Sequence, residues 1–510
     1  MNWLNEIVNN LISRHPSGEI LIESGGSPSG THHLGHMREL IIADAIMLEL
    51  QRRKRQARHV YFVDDLDALR KIPVDVPSDF DKYLGYPLCD VPSPDGSASS
   101  YADFFLKGLI DACRVLGIEA EFIHSNQKYR SGWFVPAVER ALAHVPEAKA
   151  ALESISGRQL DEHWTPIQVM ENKRLKNRRF LAIDTDLKTV NYLDADGETK
   201  AARYDKGEVK LDWRLDWPGR WWLLSVHCEP SGRDHMTKGS SYDTGVQIMK
   251  DVYDGQPPYP VSYDFINLAG DTKKMSASKG TGLNAMEAAE LMPPEVMRYF
   301  VLRSQPLKRL YFDPVNGVVQ VMDDFAAFAA KSNRSEADEQ LLYISTRGID
   351  HKTVSRVPFS LIVASYQAAL KDPERTLDIL SRTEYADFSK EDDKIIKAEL
   401  KFIDAWLEKR APEEVKFNLI KELPKIELNS PEKEFVISLA DKISNAPENA
   451  DGNWFHKAIY DYKDTSGLTP KQLFTVLYKL LIGKDYGPRA GWFLSILPRD
   501  WLIRRLRLED

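Results

Sequence analysis

Ile20-Leu21-Ile22-Glu23-Ser24-Gly25-Gly26-Ser27-Pro28-Ser29-Gly30-Thr31-His32-His33-Leu34-Gly35-His36 reads as a buried strand, a glycine-rich turn and the start of a helix. The apolar run Ile20-Leu21-Ile22 has the character of a covered strand. Beyond the turn, Leu34, Met37, Ile41, Ala45 and Leu48 fall near helical spacing, so an amphipathic helix begins near His33. Strand, glycine turn and helix start together let backbone amides approach a nucleotide phosphate, aided by the positive end of the helix. The pattern is neither the dinucleotide G-x-G-x-x-G nor a P-loop, because no G-K-[ST] follows. His33 and His36 sit one turn apart, where ring nitrogens could hydrogen-bond phosphate oxygens as negative charge builds. His32 and His36 are spaced four apart, but no Glu follows the first histidine and no third ligand is evident, so no metal site is expected.

Far along the chain stands Lys273-Lys274-Met275-Ser276-Ala277-Ser278-Lys279-Gly280. Lys273, Lys274, Ser276 and Ser278 carry donors of the kind that hold pyrophosphate, with Lys279 close by. The small residues and Gly280 suit a loop that closes over a leaving group. Between the two motifs, Tyr61-Phe62-Val63 runs into Asp64-Asp65-Leu66-Asp67. Carboxylates at the C-terminal edge of a parallel strand point into the ligand crevice, where they could bind a cationic substrate. Leu223-Leu224-Ser225-Val226 reads as another strand, leading to Gly232-Arg233-Asp234-His235. Asp234 could accept from a ribose hydroxyl there, and His235 could line an amino-acid pocket. A last strand, Val261-Ser262-Tyr263-Asp264-Phe265-Ile266, feeds the lysine-rich loop.

At 510 residues the chain has room for about two to four domains. Its 43% hydrophobic and 28% charged residues are those of an ordinary globular protein. No run of about eighteen apolar residues exists, so no transmembrane helix is expected. The acidic Glu6 near the start argues against a signal or transit peptide. Cys89, Cys113 and Cys228 are widely spaced and odd in number, as expected of reduced thiols in a cytoplasmic protein.

A net charge of -8 counts against a nucleic-acid partner until its distribution is considered. Arg52-Arg53-Lys54-Arg55 ends a predicted helix, where cations meet the negative end of the dipole, so its reading is structural. Lys173-Arg174-Leu175-Lys176-Asn177-Arg178-Arg179 has no such explanation and is expected to meet RNA phosphates. For Arg489, Arg499, Arg504, Arg505 and Arg507, a solvated helix face and an RNA contact serve equally.

The chain divides into a first α/β half at 1–136, an insertion at 137–212 with a hairpin near Tyr192–Gly197, and a second α/β half at 213–290. An all-helical region follows at 291–510. In it, 359–371, 392–409, 431–444 and 469–482 carry apolar residues at helical spacing, and Ser430-Pro431 and Thr469-Pro470 read as N-cap followed by proline.

Taken as a pair, His33-Leu34-Gly35-His36 and Lys274-Met275-Ser276-Ala277-Ser278 resemble the HIGH and KMSKS signatures of class I aminoacyl-tRNA synthetases. Pro28-Ser29-Gly30, Asp64-Asp65-Leu66-Asp67-Ala68-Leu69-Arg70-Lys71, Tyr129-Arg130-Ser131-Gly132, Asp216-Trp217-Pro218-Gly219-Arg220-Trp221, Gly232-Arg233-Asp234-His235, Gly239-Ser240-Ser241-Tyr242-Asp243 and Gly487-Pro488-Arg489 extend the likeness. Over nearly its whole length the chain resembles the archaeal-type class I lysyl-tRNA synthetases. That resemblance implies a Rossmann-like (HUP-type) α/β catalytic domain with an insertion, then an all-helical anticodon-binding domain. It implies activation of L-lysine with ATP and Mg²⁺ and transfer of lysine to tRNA(Lys), in a cytoplasmic enzyme with no membrane partner. The lysine pocket would draw on Gly25, Ser27, Trp221, His235 and Tyr263, joined by the cation-binding candidates Asp64 and Asp65. ATP would meet Pro28, Ser29, Gly30, Gly35, Asp234 and Met275, and catalysis would fall to His33, His36, Lys274, Ser276, Ser278 and Lys279. Lys173, Arg174, Lys176, Arg178 and Arg179 would touch the tRNA.

Three departures stand out. Ala277 occupies the place of the second signature lysine, so Lys279 or Lys273 must supply that charge. The family's first signature more often ends in Asn, where this chain has His36. The insertion has no cysteine, unlike relatives with a zinc ribbon. Two other classes share some of these features: an enzyme that adenylates a small molecule without RNA, and a paralogue that binds RNA without catalysis.

Overall fold

The computed structural model describes residues 1–270, 283–348, 354–413, 415–448 and 450–509. The chain forms two compact units. Met1–Ala289, Met297–Phe312 and Ser335–Ile349 make the first, and Glu290–Val296, Asp313–Arg334 and Asp350–Asp510 make the second.

In the first unit, β1 (Ile20–Gly26), β2 (Ala57–Val63) and β3 (Glu121–His124) belong to a parallel sheet. The insertion carries β4 (Ile167–Glu171), β5 (Arg174–Lys176), β6 (Arg179–Asp184), β7 (Thr189–Leu193), β8 (Thr199–Arg203) and β9 (Val209–Leu211). Two further strands of the main sheet follow, β10 (Cys228–Gly232) and β11 (Tyr259–Tyr263), and then a separate parallel pair, β12 (Ile266–Leu268) and β13 (Leu310–Phe312). The main sheet runs β11-β10-β1-β2-β3, so strand order reverses between β1 and β10. In open α/β sheets the crevice beyond the strand ends at such a reversal is where ligands bind. Glycines let the chain close up there. A Cβ on Gly25 would stand 2.6 Å from the Phe62 carbonyl oxygen, and one on Gly26 2.9 Å from the Tyr61 hydroxyl.

The strand expected at Leu223–Val226 is the end of helix Trp213–Leu224 and the loop after it. Asp212 caps this helix by accepting from Arg214 N, and Ser225 ends it with φ 54°. The adjacent leucines that suggested a strand thus lie on a helical turn, and the strand begins at Cys228. Residues 135–156, mostly assigned to the insertion, form helices Val135–Ala143 and Val145–Ser156. Ala137, Val138, Ala141, Ala148 and Leu152 share one core with Phe62 and Ile123. The expected hairpin is β7–β8, two antiparallel strands joined through Asp194–Gly197.

The region expected to be all-helical from 291 contains β13, which pairs with β12. In the second unit, Thr469 caps helix Pro470–Ile482 in a reciprocal box with Gln472. Helix Ser430–Ser444 is capped by Asn429 paired with Glu432, so Ser430 is the first helical residue and not the cap. Leu473, Val476, Leu477 and Leu480 bury against Phe435, Leu439 and Ile443. Arg505 is buried, donating to the carbonyls of Leu480, Ile420 and Lys421. The Arg52–Arg55 run is structural: Arg52 and Arg53 clasp Glu49, and Arg55 reaches the carbonyls of His15 and Gly18. Among the described residues, no helix is long and apolar enough to cross a membrane.

Candidate active site

Helix Leu34–Arg52 opens on an unusual cap. His33 Nδ1 accepts from Gly35 N at 3.1 Å, and His36 Nδ1 accepts from His33 N at 3.1 Å. Two histidines thus play the reciprocal roles usually taken by Ser or Thr and Glu. With Nδ1 accepting in both, the proton of each neutral ring sits on Nε2, which makes Nε2 a donor. His32 is buried, and burial pushes its pKa down to about 4, so it stays neutral near pH 7. The same helix start is tied to the far motif's exit. Leu34 N donates to Leu283 O, Ala285 N donates to His32 O, and His33 bridges to Asn284. Lys274, Met275, Ser276, Ala277, Ser278 and Lys279 lie outside the described residues. Pro28, Ser29 and Gly30 form the turn after β1, where the Tyr101 hydroxyl holds the Ser29 carbonyl at 3.1 Å.

Beside this turn, a cavity of about 330 Å³ opens at the ends of β1, β2 and β10. Gly25, Gly26, Ser27, His36, Asp64, Asp234, His235 and Tyr263 line it, with Trp213, Trp217 and Phe265. Its lining is strongly acidic: Glu23, Glu39, Asp64, Glu229 and Asp234 face one arginine, Arg220. Arg220 stands 3.0 Å from Asp64 and 3.5 Å from each of Glu23 and Asp216. Lys210 takes up the other side of Asp216 at 3.1 Å, and Asp67 at 3.0 Å. The Oε2 of Glu23 is buried with no hydrogen-bond partner.

Burial pushes the Glu23 carboxyl up to about 8; Arg220 opposes the shift, while Asp64 and Asp216 reinforce it. Burial likewise raises Glu39 to about 7, against bonds from the Tyr263 hydroxyl and Gly25 N, and Asp64 to about 6 against Arg220. Glu229 is raised well above its ordinary range by burial and by Glu23. A cluster of carboxyls whose affinity for protons is raised chiefly by burial is a site for a ligand that brings a cation.

A pH dependence follows. With Glu23 raised to about 8, Glu39 to about 7 and Asp64 to about 6, each takes up its proton as pH falls through that value, and a bound ammonium favours the ionised forms. Binding therefore expels protons: an ammonium ligand is expected to bind more tightly as pH rises from about 6 to about 8, then level off. Each displaced proton contributes at most about tenfold in Kd per pH unit. Calorimetry in buffers of different ionisation enthalpy measures the release directly, and a pH-independent Kd with no release would contradict it.

Not every predicted pocket residue faces the cavity. Trp221 lies behind the wall, 1% exposed, its indole donating to Glu229 at 3.1 Å and its ring 4.8 Å from that of Trp217. Trp217 donates to the other Glu229 oxygen at 3.0 Å and, with Trp213, supplies the aromatic wall expected of Trp221. Trp213, Trp217 and Trp221 follow one another at four-residue spacing, so the rotation of their helix against β10, where Glu229 takes both the Trp217 and the Trp221 indole, decides which of them face the cavity. Asp65 also turns away. It accepts from His124 at 2.7 Å, Ser125 at 2.9 Å and Asn126 N at 2.8 Å, pinning the end of β2 to the end of β3. In the insertion, Arg174 donates to the carbonyls of Leu84 and Lys82, and Arg178 pairs with Glu171 at 2.6 Å. These two arginines hold the protein itself, whereas Lys173, Lys176 and Arg179 are exposed.

Sequence reading missed Glu23, Glu39 and Glu229. A signal existed for Glu23, a carboxylate inside an apolar strand, because a buried charge is costly unless something pairs with it. Glu39 follows His36 by three positions and so shares its helical face. Glu229 had no local signal while its strand was misplaced.

The first 348 residues match the family model described as "tRNA synthetases class I (K)". Curated relatives align end to end. A protein named "Lysine--tRNA ligase 1" from Methanosarcina acetivorans is 34% identical, covering 99% of this chain and 98% of its own length. A "Lysine--tRNA ligase" from Archaeoglobus fulgidus is 34% identical, covering 99% of both chains. One from Thermococcus kodakarensis is 32% identical over the whole of both.

Proposed function

The chain belongs to the class I tRNA synthetase family, and on that footing we propose how its acidic cavity and histidine-capped helix carry out lysine–tRNA ligation. The observation that carries the reading is the pairing of opposite demands: a carboxylate-rich cavity with an unpartnered oxygen on Glu23, beside a helix start with donors for phosphate. Lysine enters with its side-chain ammonium toward Glu23, Asp64 and Glu229, and its methylene stem lies along Trp213, Trp217 and Tyr263. ATP lies across the glycine turn and the start of helix Leu34–Arg52. It arrives as its magnesium complex, with the ion on phosphate oxygens and therefore part of the substrate.

The lysine carboxylate attacks the α-phosphorus, breaking its bond to the bridging oxygen and releasing pyrophosphate. His33 and His36 donate through Nε2 to the phosphate oxygens as charge builds on them. The terminal ribose 2′-hydroxyl of tRNA(Lys) then attacks the carbonyl of lysyl-adenylate and expels AMP. No covalent bond to the protein is needed; positioning and charge stabilisation account for the rate. The exposed Lys173, Lys176 and Arg179 meet RNA backbone, the helical second unit reads the anticodon, and the enzyme works in the cytoplasm.

Lysine-dependent exchange of pyrophosphate into ATP, measured with and without tRNA(Lys), tests the reading. Exchange that needs lysine and is followed by lysylation of the tRNA supports it. Exchange driven by a different small molecule and indifferent to tRNA would favour a nucleotidyltransferase. RNA binding with no exchange under either condition would favour a paralogue without catalysis.

A further inference from the structure

Against the acidic cavity stands a cluster of the opposite sign. Arg38, on helix Leu34–Arg52, is buried and donates to the carbonyls of Asp264 at 2.5 Å, Phe265 at 3.2 Å, Pro306 at 2.8 Å and Lys308 at 2.8 Å. One guanidinium thereby fixes the segment between β11 and β12, and the turn before β13, to the helix that starts at the two histidines. The Asp264 carboxylate, itself buried, accepts from Phe265 N at 2.7 Å, from Arg233 at 3.1 Å and from Arg309 at 3.1 and 3.2 Å. The Arg233 and Arg309 side chains are 56% and 40% exposed.

Two guanidiniums, Arg233 and Arg309, converge on one carboxylate whose backbone carbonyl a third, Arg38, already holds, more positive charge than a structural ion pair requires. Asp264 occupies one N–H of Arg233 and two of Arg309, and each guanidinium has five. The cluster adjoins the cavity through the chain itself: Gly232 and Asp234 flank Arg233, Tyr263 and Phe265 flank Asp264, and all four flanking residues line the cavity. A cationic ligand in the cavity and a polyanionic one beside it fit this division of charge.

We propose that Arg233 and Arg309 form the seat for the β- and γ-phosphates of ATP, with Asp264 and Arg38 as the frame that positions them. The proposal rests on the ligase reading above and deepens it. It places permanent positive charge beside the cavity in a chain whose lysine-rich motif carries Ala277 in place of a second signature lysine.

The test uses the full-length protein with Arg233→Gln, Arg309→Gln and the double variant. Affinities for ATP, AMP and lysine are measured separately by calorimetry. A charge-assisted contact to each arginine predicts that the double variant loses about tenfold to a hundredfold in ATP affinity, with AMP and lysine affinity nearly unchanged. The KM for pyrophosphate in exchange rises in parallel, and Arg309→Lys recovers part of the loss. An unchanged ratio of ATP to AMP affinity in the double variant would overturn the proposal. So would equal loss of ATP, AMP and lysine binding, which would make the arginines servants of the fold. Failure of the wild-type protein to exchange pyrophosphate with lysine, both with and without tRNA(Lys), would sink the ligase reading instead, and the ATP-to-AMP ratio is read with no amino acid present.

Discussion

Norleucine, which keeps the four-carbon stem of lysine but lacks its terminal ammonium, is expected to be activated about four orders of magnitude less efficiently than lysine. The reason lies in what it leaves behind. Glu23 and Glu229 are buried and Glu39 and Asp64 half-buried around the cavity, Arg220 is the one arginine in its lining, and one Glu23 oxygen has no partner at all. An apolar methyl group among them pairs nothing, so the Glu23 oxygen without a partner stays desolvated or keeps its proton, while Glu39 and Glu229 are hydrogen-bonded by neutral donors alone. Ornithine differs only by one methylene and keeps its ammonium, so it should lose only about ten- to two-hundredfold. The measurement is kcat/KM for pyrophosphate exchange with each amino acid. Norleucine working at a rate near that of lysine would show that the cavity does not select an ammonium. Glu23→Gln carries the same logic: it should lower kcat/KM for lysine while leaving the weak norleucine activity almost untouched, because only lysine pairs with the missing charge.

The parts of this molecule that were legible in its sequence are those fixed by local rules. The strand, glycine turn and helix start at Ile20–His36 were readable because burial, close backbone approach at glycine and helical spacing each leave a mark within a few residues. The capped helices of the second unit were readable too, as with Thr469 and Gln472. Errors came where one local pattern served two ends. Leu223-Leu224 fits a strand, but Asp212 had already started a helix that carries them, and this moved the true strand out to Cys228. The site divides in the same way. His33, His36 and Asp64 announced themselves through type and position. The choice of Trp213 and Trp217 over Trp221 was not legible, because all three lie on one helix and only its rotation against β10 decides which indoles face the cavity. Asp65 was indistinguishable from Asp64 until the end of β3 supplied His124, Ser125 and Asn126 to hold it. Nor could spacing reveal the convergence of Glu23, Glu39 and Glu229, which depends on how β1, β10 and one helix meet.

Replacing His36 with alanine is expected to slow adenylate formation about a hundredfold or more while changing ATP affinity little. The cap geometry makes this more than a statement about a signature residue. His36 Nδ1 is committed to His33 N, and His33 Nδ1 to Gly35 N, so the backbone holds both rings in the tautomer that donates from Nε2. Donors fixed before the reaction cost no reorganisation when phosphate charge rises, and for that reason their loss falls on the rate and not on binding. His33→Ala should show the same kinetic loss together with a drop in stability of about 1 kcal/mol, because it also removes a helix cap. His36→Asn separates the two roles. Its carbonyl oxygen can accept from His33 N and its amide can still donate, so it should retain far more activity than His36→Ala. Single-turnover adenylate formation at saturating ATP and lysine, alongside separately measured ATP affinity, distinguishes these cases. Equal rates for the wild type, His33→Ala and His36→Ala would remove both histidines from the chemistry, and the weight of phosphate stabilisation would pass to the arginine pair beside Asp264.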